Sequence, residues 1–224
     1  MNYNIAIDGP AGAGKSTIAR ILAKELEFIY VDTGAMYRAM ALFLMENNIG
    51  ANETDKIEKA CKDADITILY RDGEQQVLLN GRNVNSLIRT EEVGKMTSDS
   101  SKNAVIREKM TYIQKELSKT QNVVMDGRDI GTSVLPDAFL KIYLTADSKE
   151  RAKRRCLELK AKGEDCDIAE VERDIILRDE QDMNREISPL RQAEDAVCLD
   201  STHLSIKEVA AEIKKLFLGK KGSN

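Results

Sequence analysis

The chain has no tryptophan, one histidine and three prolines, and aromatic residues make up only 4% of it. Its core must therefore rest on Ile, Leu, Val, Ala and Met. With His203 the sole imidazole, a zinc centre is not expected. The four cysteines, Cys61, Cys156, Cys166 and Cys198, form no C-x-x-C pair and have no metal-like spacing, so they read as reduced thiols of a cytoplasmic protein. No stretch approaches the roughly 18 apolar residues that a membrane span needs. The opening MNYNIAIDG lacks the basic flank and long apolar run of a signal peptide. A net charge of −4 gives no basic excess for general nucleic-acid binding, so neither nucleic acid nor membrane is an expected partner.

What is present is an ordinary balance for a globular chain, 42% hydrophobic and 32% charged over 224 residues, enough for one α/β domain with an insertion. The run Tyr3–Asp8 is apolar and β-branched, as a buried parallel strand would be, and it ends at Gly9 and Pro10. Ile18, Ile21, Leu22 and Leu26 follow at helical spacing. Phe28–Val31 then predicts a second strand and Met36–Met45 a second helix, the opening of a parallel α/β sheet.

The pattern changes near residue 60. Ile66–Tyr70 and Gln76–Leu79, with the dipeptides Asp72-Gly73 and Asn80-Gly81, predict a small hairpin-rich lobe over about 60–90. Arg89–Leu117 is mostly helical in pattern. Val123–Met125, Phe139–Leu144 and Val197–Leu199 are further strand candidates. Residues 148–186 are charged and helical, interrupted around Lys162-Gly163-Glu164-Asp165. Ser205 and Glu208 form a capping box for a final helix, and the tail from Gly219 is expected to fray.

Gly9, Gly14, Lys15 and Ser16 satisfy G-x-x-x-x-G-K-[ST] between a strand pattern and a helix pattern. Glycines let the backbone curl so that its N–H groups face an anion at the positive end of the following helix. Gly9, Pro10, Ala11, Gly12, Ala13, Gly14, Lys15, Ser16 and Thr17 are thus the expected ATP loop. Lys15 would reach the β- and γ-phosphates, and Ser16 would ligate Mg2+ together with waters. A guanine-reading N-K-x-D motif is absent, which weighs against a GTP-dependent switch. Val123–Asp126 leads into Gly127-Arg128-Asp129 rather than into the paired acids of a motor ATPase.

Other residues ask for a second phosphate. Arg151, Arg154 and Arg155 share one helical face, and Arg178 and Arg185 share another with Asp182 between them. Such arginines often lie in solvated ion pairs. Here they flank a Gly-containing excursion, as in a mobile lid, and a guanidinium fork suits phosphate. Asp32–Arg38 and Asp126–Gly131 each follow a strand, where open α/β sheets bind ligands. Thr33 could bond an acceptor anion or cap its helix.

Together these pieces resemble bacterial cytidylate kinases, of the nucleoside monophosphate kinase family. The matching stretches are IDGPAGAGKST (7–17), VDTGAMYRA (31–39), LIRTEEV (87–93), DGRDIGT (126–132), LRDEQDMNR (177–185) and LDST (199–202), spread over nearly the whole chain. Thr33 stands where many relatives have Ser, which keeps the hydroxyl. The resemblance implies an α/β fold: a P-loop kinase core with a five-stranded parallel sheet and helices on both faces. It also implies a lid over about 148–186 and a nucleotide-acceptor lobe over about 39–99 with an antiparallel β insertion. The core would take 1–38, 100–147 and 190–218.

The implied reaction transfers the γ-phosphate of ATP to CMP or dCMP with Mg2+, the alternative being a broader pyrimidine monophosphate kinase. Thr33, Arg38 and Arg128 would meet the acceptor phosphate, with Tyr37 beside them. Ser98, Arg107 and Asp129 would meet cytosine, whose amino donor calls for an acid and whose ring acceptors call for Arg or hydroxyl donors. Thr97, Ser100 and Ser101 compete with Ser98 for that role. Arg178 and Asp182 would approach the ribose and Arg185 the acceptor nucleotide. Lys15, Arg128, Arg151, Arg155 and Arg178 are the expected catalytic cations. A monomer with nucleotides as its only partners is expected. His203 reads as a turn residue, Met36, Met40 and Met45 as packing, and the Lys214-Lys215 and Lys220-Lys221 pairs as solvated charge.

Overall fold

Burial decides the central strand. Ile5, Ala6 and Ile7 of β1 (Asn4–Asp8) have no exposed surface, as expected for a strand covered on both faces. The computed structural model describes residues 2–71, 74–161 and 163–222. After β1 come α1 (Lys15–Leu26), β2 (Ile29–Asp32), α2 (Thr33–Glu46), α3 (Thr54–Asp63), β3 (Ile66–Arg71), β4 (Glu74–Leu79) and β5 (Arg82–Asn83). Next are α4 (Glu91–Ser100), α5 (Ala104–Thr120), β6 (Val123–Gly127), a π-helical turn at Ile130–Val134, and β7 (Leu140–Thr145). The chain ends with α6 (Ser148–Ala161), α7 (Ile168–Asn184), β8 (Val197–Asp200) and α8 (Ile206–Gly222).

Five strands form one parallel sheet in the order β2-β6-β1-β7-β8. Register brings the site-bearing ends together: Asp8 lies opposite Gly127 on one side and Tyr143 on the other. Four aromatics gather at the opposite end. Tyr3, Phe28 and Phe139 each precede a strand, and all three meet the Phe217 ring of α8 edge-on at 5.5–5.7 Å between centroids. Such contacts suit the ring quadrupole and close the base of a core otherwise built from Ile, Leu, Val and Ala.

The chain divides into two compact units, Met1–Tyr30 with Gln121–Asn224, and Val31–Thr120. In the second, β3, β4 and β5 form an antiparallel sheet. Asn80 (φ 49°) and Gly81 (φ 78°) make the turn between paired Leu79 and Arg82, as the Asn-Gly dipeptide predicts. Asp72-Gly73 lies outside the described residues, as does Lys162 of the Lys162–Asp165 interruption.

Several expectations are corrected. The 89–117 stretch is two helices, because the Asn103 carboxamide accepts from Val105 N–H at 3.0 Å and starts α5 anew. Helix α3 buries Ile57, Ala60 and Cys61 along one face, an i, i+3, i+4 spacing that the sequence reading passes over. The tail stays helical to Gly222, where Lys220 and Lys221 are exposed as expected and also lie over the Phe139 and Tyr3 rings at 5.4 and 4.8 Å. The capping box forms as read, with Ser205 N–H on Glu208 at 2.8 Å and Glu208 N–H on Ser205 Oγ at 3.3 Å. The cysteines are not all thiols: Cys156 and Cys166 are joined in a disulfide between α6 and the loop before α7. The compartment argument drawn from reduced cysteines therefore falls.

Candidate functional site

The loop after β1 is built from glycines where the chain leaves no alternative. A Cβ on Gly9 would lie 1.9 Å from the Leu144 carbonyl oxygen, inside any permitted contact. Gly14 takes φ 86° as the N-cap of α1 and no side chain caps that end. The first N–H groups of α1 are thus left for an anion, where the helix dipole favours one. Lys15 follows directly, 5% exposed, donating to the Pro10 carbonyl at 2.7 Å. Burial, then the Arg128 charge, pushes its ammonium well below the usual lysine range, while Asp126, Asp8 and Asp182 oppose them.

Ser16 Oγ donates to Asp126 Oδ2 at 2.8 Å, and the other oxygen of Asp126 accepts from Tyr30 at 2.9 Å. Hydroxyl and carboxylate together form an all-oxygen set at the mouth of the phosphate loop, the chemistry that a hard divalent cation takes. Among the described residues, no group of three or more His, Cys, Asp or Glu could cage a metal.

The 126–132 loop is held from below by Asp8. Its two carboxylate oxygens accept from Ile130 N–H and Gly131 N–H, each at 2.7 Å. Burial raises the Asp8 pKa to about 6, with the two backbone bonds opposing and the Asp129 charge adding to it. Arg128 Nε donates to Asp182 Oδ2 at 2.8 Å. Arg185 Nη2 reaches Asp129 at 3.2 Å and its Nη1 lies 3.5 Å from Asp182. Burial works against the Asp182 charge, yet Arg128 and then Arg185 and Arg178 hold its pKa below the usual carboxylate value.

The lid arginines separate. Arg151 is buried and donates to the Ala146 and Ala11 carbonyls and to Asp179. Arg154 is tied to Ser201, with Nη2 on its carbonyl at 2.6 Å. Arg155 pairs with Glu158 at 3.1 Å on the surface. Arg178 is half-buried on α7, between Leu177 and the buried Asp179.

In the second unit, Asp32 rather than Thr33 caps α2, accepting from Ala35 N–H at 2.9 Å, and Thr33 is the first helical residue, 4% exposed. Arg38 donates to the Ile88 carbonyl at 3.1 Å and lies against Gly94. Arg107 packs over the Tyr37 ring at 5.6 Å and donates to the Ser101 carbonyl. Of the competing hydroxyls, Thr97 is spent on the Val93 carbonyl at 2.6 Å, Ser101 contacts the Ser98 carbonyl and Ser100 is buried, while Ser98 is half-buried on α4.

Sequence reasoning passes over Asp8 and Asp179, although both stand within the matching stretches. An acid ending a strand before a phosphate loop, and one inside an Arg-rich helix, read as surface charge until the fold buries them.

The family model described as Cytidylate kinase matches residues 5–218. A cytidylate kinase of Caldicellulosiruptor saccharolyticus is 54% identical over 96% of this chain and 95% of its own. One from Carboxydothermus hydrogenoformans is 50% identical over 97% of each. A solved structure from Eubacterium ventriosum, 14% identical, superposes with a TM-score of 0.52 over 98% of this chain and 99% of that one, and so resembles it in fold alone.

Proposed function

The chain belongs to the cytidylate kinase family, and from that premise we propose that it transfers the γ-phosphate of ATP to CMP or dCMP, giving ADP and CDP or dCDP. The observation that carries this reading is the placement of two cations at adjacent strand ends. Lys15 follows β1 in a phosphate-binding loop, and Arg128 follows β6 with Asp182 against its guanidinium.

The acceptor phosphate is already an anion at neutral pH, so no general base is needed. The chain's work is alignment and charge neutralisation. Lys15 and the N–H groups opening α1 hold the donor phosphates. Arg128, Arg155 and Arg178 supply positive charge where negative charge accumulates in transfer, and Arg151 supports the loop through Ala11. Ser16 and Asp126 are the residues that would hold Mg2+, which when bound neutralises phosphate-oxygen charge. Asp129 with Arg185 suits the amino edge of cytosine, and Asp182 with Arg178 the ribose. Thr33, Tyr37, Arg38, Ser98 and Arg107 keep the acceptor-side roles that the resemblance implies. We assign the lid to about 148–186, where closure would exclude water. A cytoplasmic monomer is the accompanying proposal, resting on small soluble nucleotides as the only partners.

Release of ADP, measured with CMP, dCMP, UMP and AMP each offered as acceptor, tests the reading. CMP and dCMP should drive turnover well above the acceptor-free rate. Equal rates with UMP would move the assignment to a broader pyrimidine kinase, and acceptor-independent release would make the protein an ATPase. Lys15→Met should abolish CDP formation in a folded protein. Near-normal turnover by that variant would remove the loop from the mechanism.

A further inference from the structure

Ala11, in the outer turn of the phosphate loop, has both backbone groups engaged by side chains from two different helices. Its N–H donates to Asp179 Oδ1 of α7 at 2.8 Å. Its carbonyl accepts from Arg151 Nη1 of α6 at 2.7 Å. The two side chains also meet each other, Arg151 Nη1 to Asp179 Oδ2 at 2.5 Å, and Arg151 Nε is anchored on the Ala146 carbonyl at 2.9 Å. Each is only 8% exposed. The backbone packs as closely: a Cβ on Gly12 would come within 3.3 Å of the Arg151 Cβ. An N–H in such a loop would ordinarily be left to face an anion. Here it is taken by a carboxylate.

The same helix continues to the acceptor side. One turn beyond Asp179, Asp182 accepts from Arg128 at 2.8 Å. A further turn on, Arg185 reaches Asp129 at 3.2 Å. Asp179 and Asp182 are three residues apart, which is about 4.5 Å along the axis at the helical rise, and Arg185 is the residue that ends the helix. The C-terminal part of one helix, with Arg185 that ends it, thus bonds both the donor loop and the 126–132 loop. We propose that Asp179 is a positioning residue that shapes the phosphate loop through Ala11 and sets it in register with the acceptor-side pairs on α7. The inference rests on the reading of Gly9–Thr17 as the ATP loop. It differs from a role in which Asp179 only neutralises the buried Arg151. In-line transfer is sensitive to placement, and a displacement of about 1 Å can cost on the order of 100-fold in rate.

Two variants of the full-length protein separate the roles. Asp179→Glu keeps a negative charge facing Arg151 but moves the carboxylate outward by one methylene. Asp179→Asn keeps an acceptor for Ala11 but loses the charge. In Asp179→Glu the thermal midpoint should stay within a few degrees of the parent, while ATP affinity, measured by equilibrium titration without acceptor, falls tenfold or more. Its kcat should fall at least tenfold and its KM for CMP stay within about threefold, because Asp179 hydrogen-bonds Ala11 and Arg151 on the donor side. Asp179→Asn should lose stability, because Arg151 loses its partner charge, but keep ATP affinity within about threefold of the parent, and if it does not fold the Glu variant decides alone. Folded Asp179→Glu that binds ATP within threefold of the parent and keeps its kcat would overturn the proposal. A parent that binds ATP yet forms no CDP would overturn the kinase reading instead, with the ATP titrations still deciding Asp179.

Discussion

Arg128 and Asp182 form an ion pair, Nε to Oδ2 at 2.8 Å, with side chains 20% and 18% exposed. It joins the loop after β6 to α7, so a side chain on one element fixes the direction of a cation on another. Partly buried pairs of this kind are costly to break on one side only, because the remaining charge has lost its partner. Asp182→Asn should therefore lower stability by about 1.5–3 kcal/mol, the range for hydrogen bonds to charged groups. It should also raise the KM for CMP at least tenfold with little change in that for ATP. Denaturant unfolding and steady-state kinetics with each substrate varied check both parts.

Gly9 tolerates no side chain. A methyl carbon added there would sit 1.9 Å from the Leu144 carbonyl oxygen, so Gly9→Ala must push β1 and β7 apart or reshape the loop. Overpacking of this kind costs about 1–3 kcal/mol. The expected outcome is a lower thermal midpoint with ATP binding reduced tenfold or more. A folded variant with parent-like ATP affinity would contradict it.

Asp8 predicts an unusual pH dependence. Its carboxyl titrates at about 6 in the folded chain against 3.8 for the ordinary group, with burial as the leading cause. The folded state therefore holds the proton more tightly, and ionised Asp8 costs stability at and above pH 6. Lowering the pH from 6 towards 4 removes that cost, which for about two pH units at 1.36 kcal/mol each is about 3 kcal/mol. The stability difference between the parent and Asp8→Asn should consequently shift in favour of the parent over that window. Urea unfolding at pH 7, 5.5 and 4.5 measures it, and a difference that stays flat would contradict the expectation.

The Cys156–Cys166 bridge closes a short loop, with a sequence separation of 10. On the chain-entropy model a loop of this size is worth about 2–3 kcal/mol. Cys166→Ser should speed proteolytic cleavage between α6 and α7 under non-reducing conditions, and added dithiol should bring the parent to the same rate. Equal cleavage rates for parent and variant without reductant would contradict this.

Much of the site is legible in the sequence because its residues are local. A phosphate loop is a run of backbone between one strand and one helix, so Gly9–Ser16 can be recognised from spacing alone. The Asn80-Gly81 turn and the Ser205–Glu208 cap are legible for the same reason, each depending on backbone geometry within four residues. The α4–α5 break is legible too, since Thr97–Asn103 is a wholly polar run and the Asn103 side chain marks the new start.

The roles of the arginines are not legible in this way. Arg151, Arg154 and Arg155 stand on one helix within five residues, yet one is buried against Ala11 and Asp179, one is tied to Ser201 and one is exposed beside Glu158. Asp8 and Asp179 are likewise ordinary acids in the chain and buried organisers in the fold. The sequence by itself determined the family, the parallel α/β core and the phosphate loop, because these depend on periodicity and on short motifs. Tertiary structure alone decided which charges are buried and what each one faces. Burial and pairing depend on residues more than a hundred positions apart, such as Ala11 and Asp179, that no local pattern brings together.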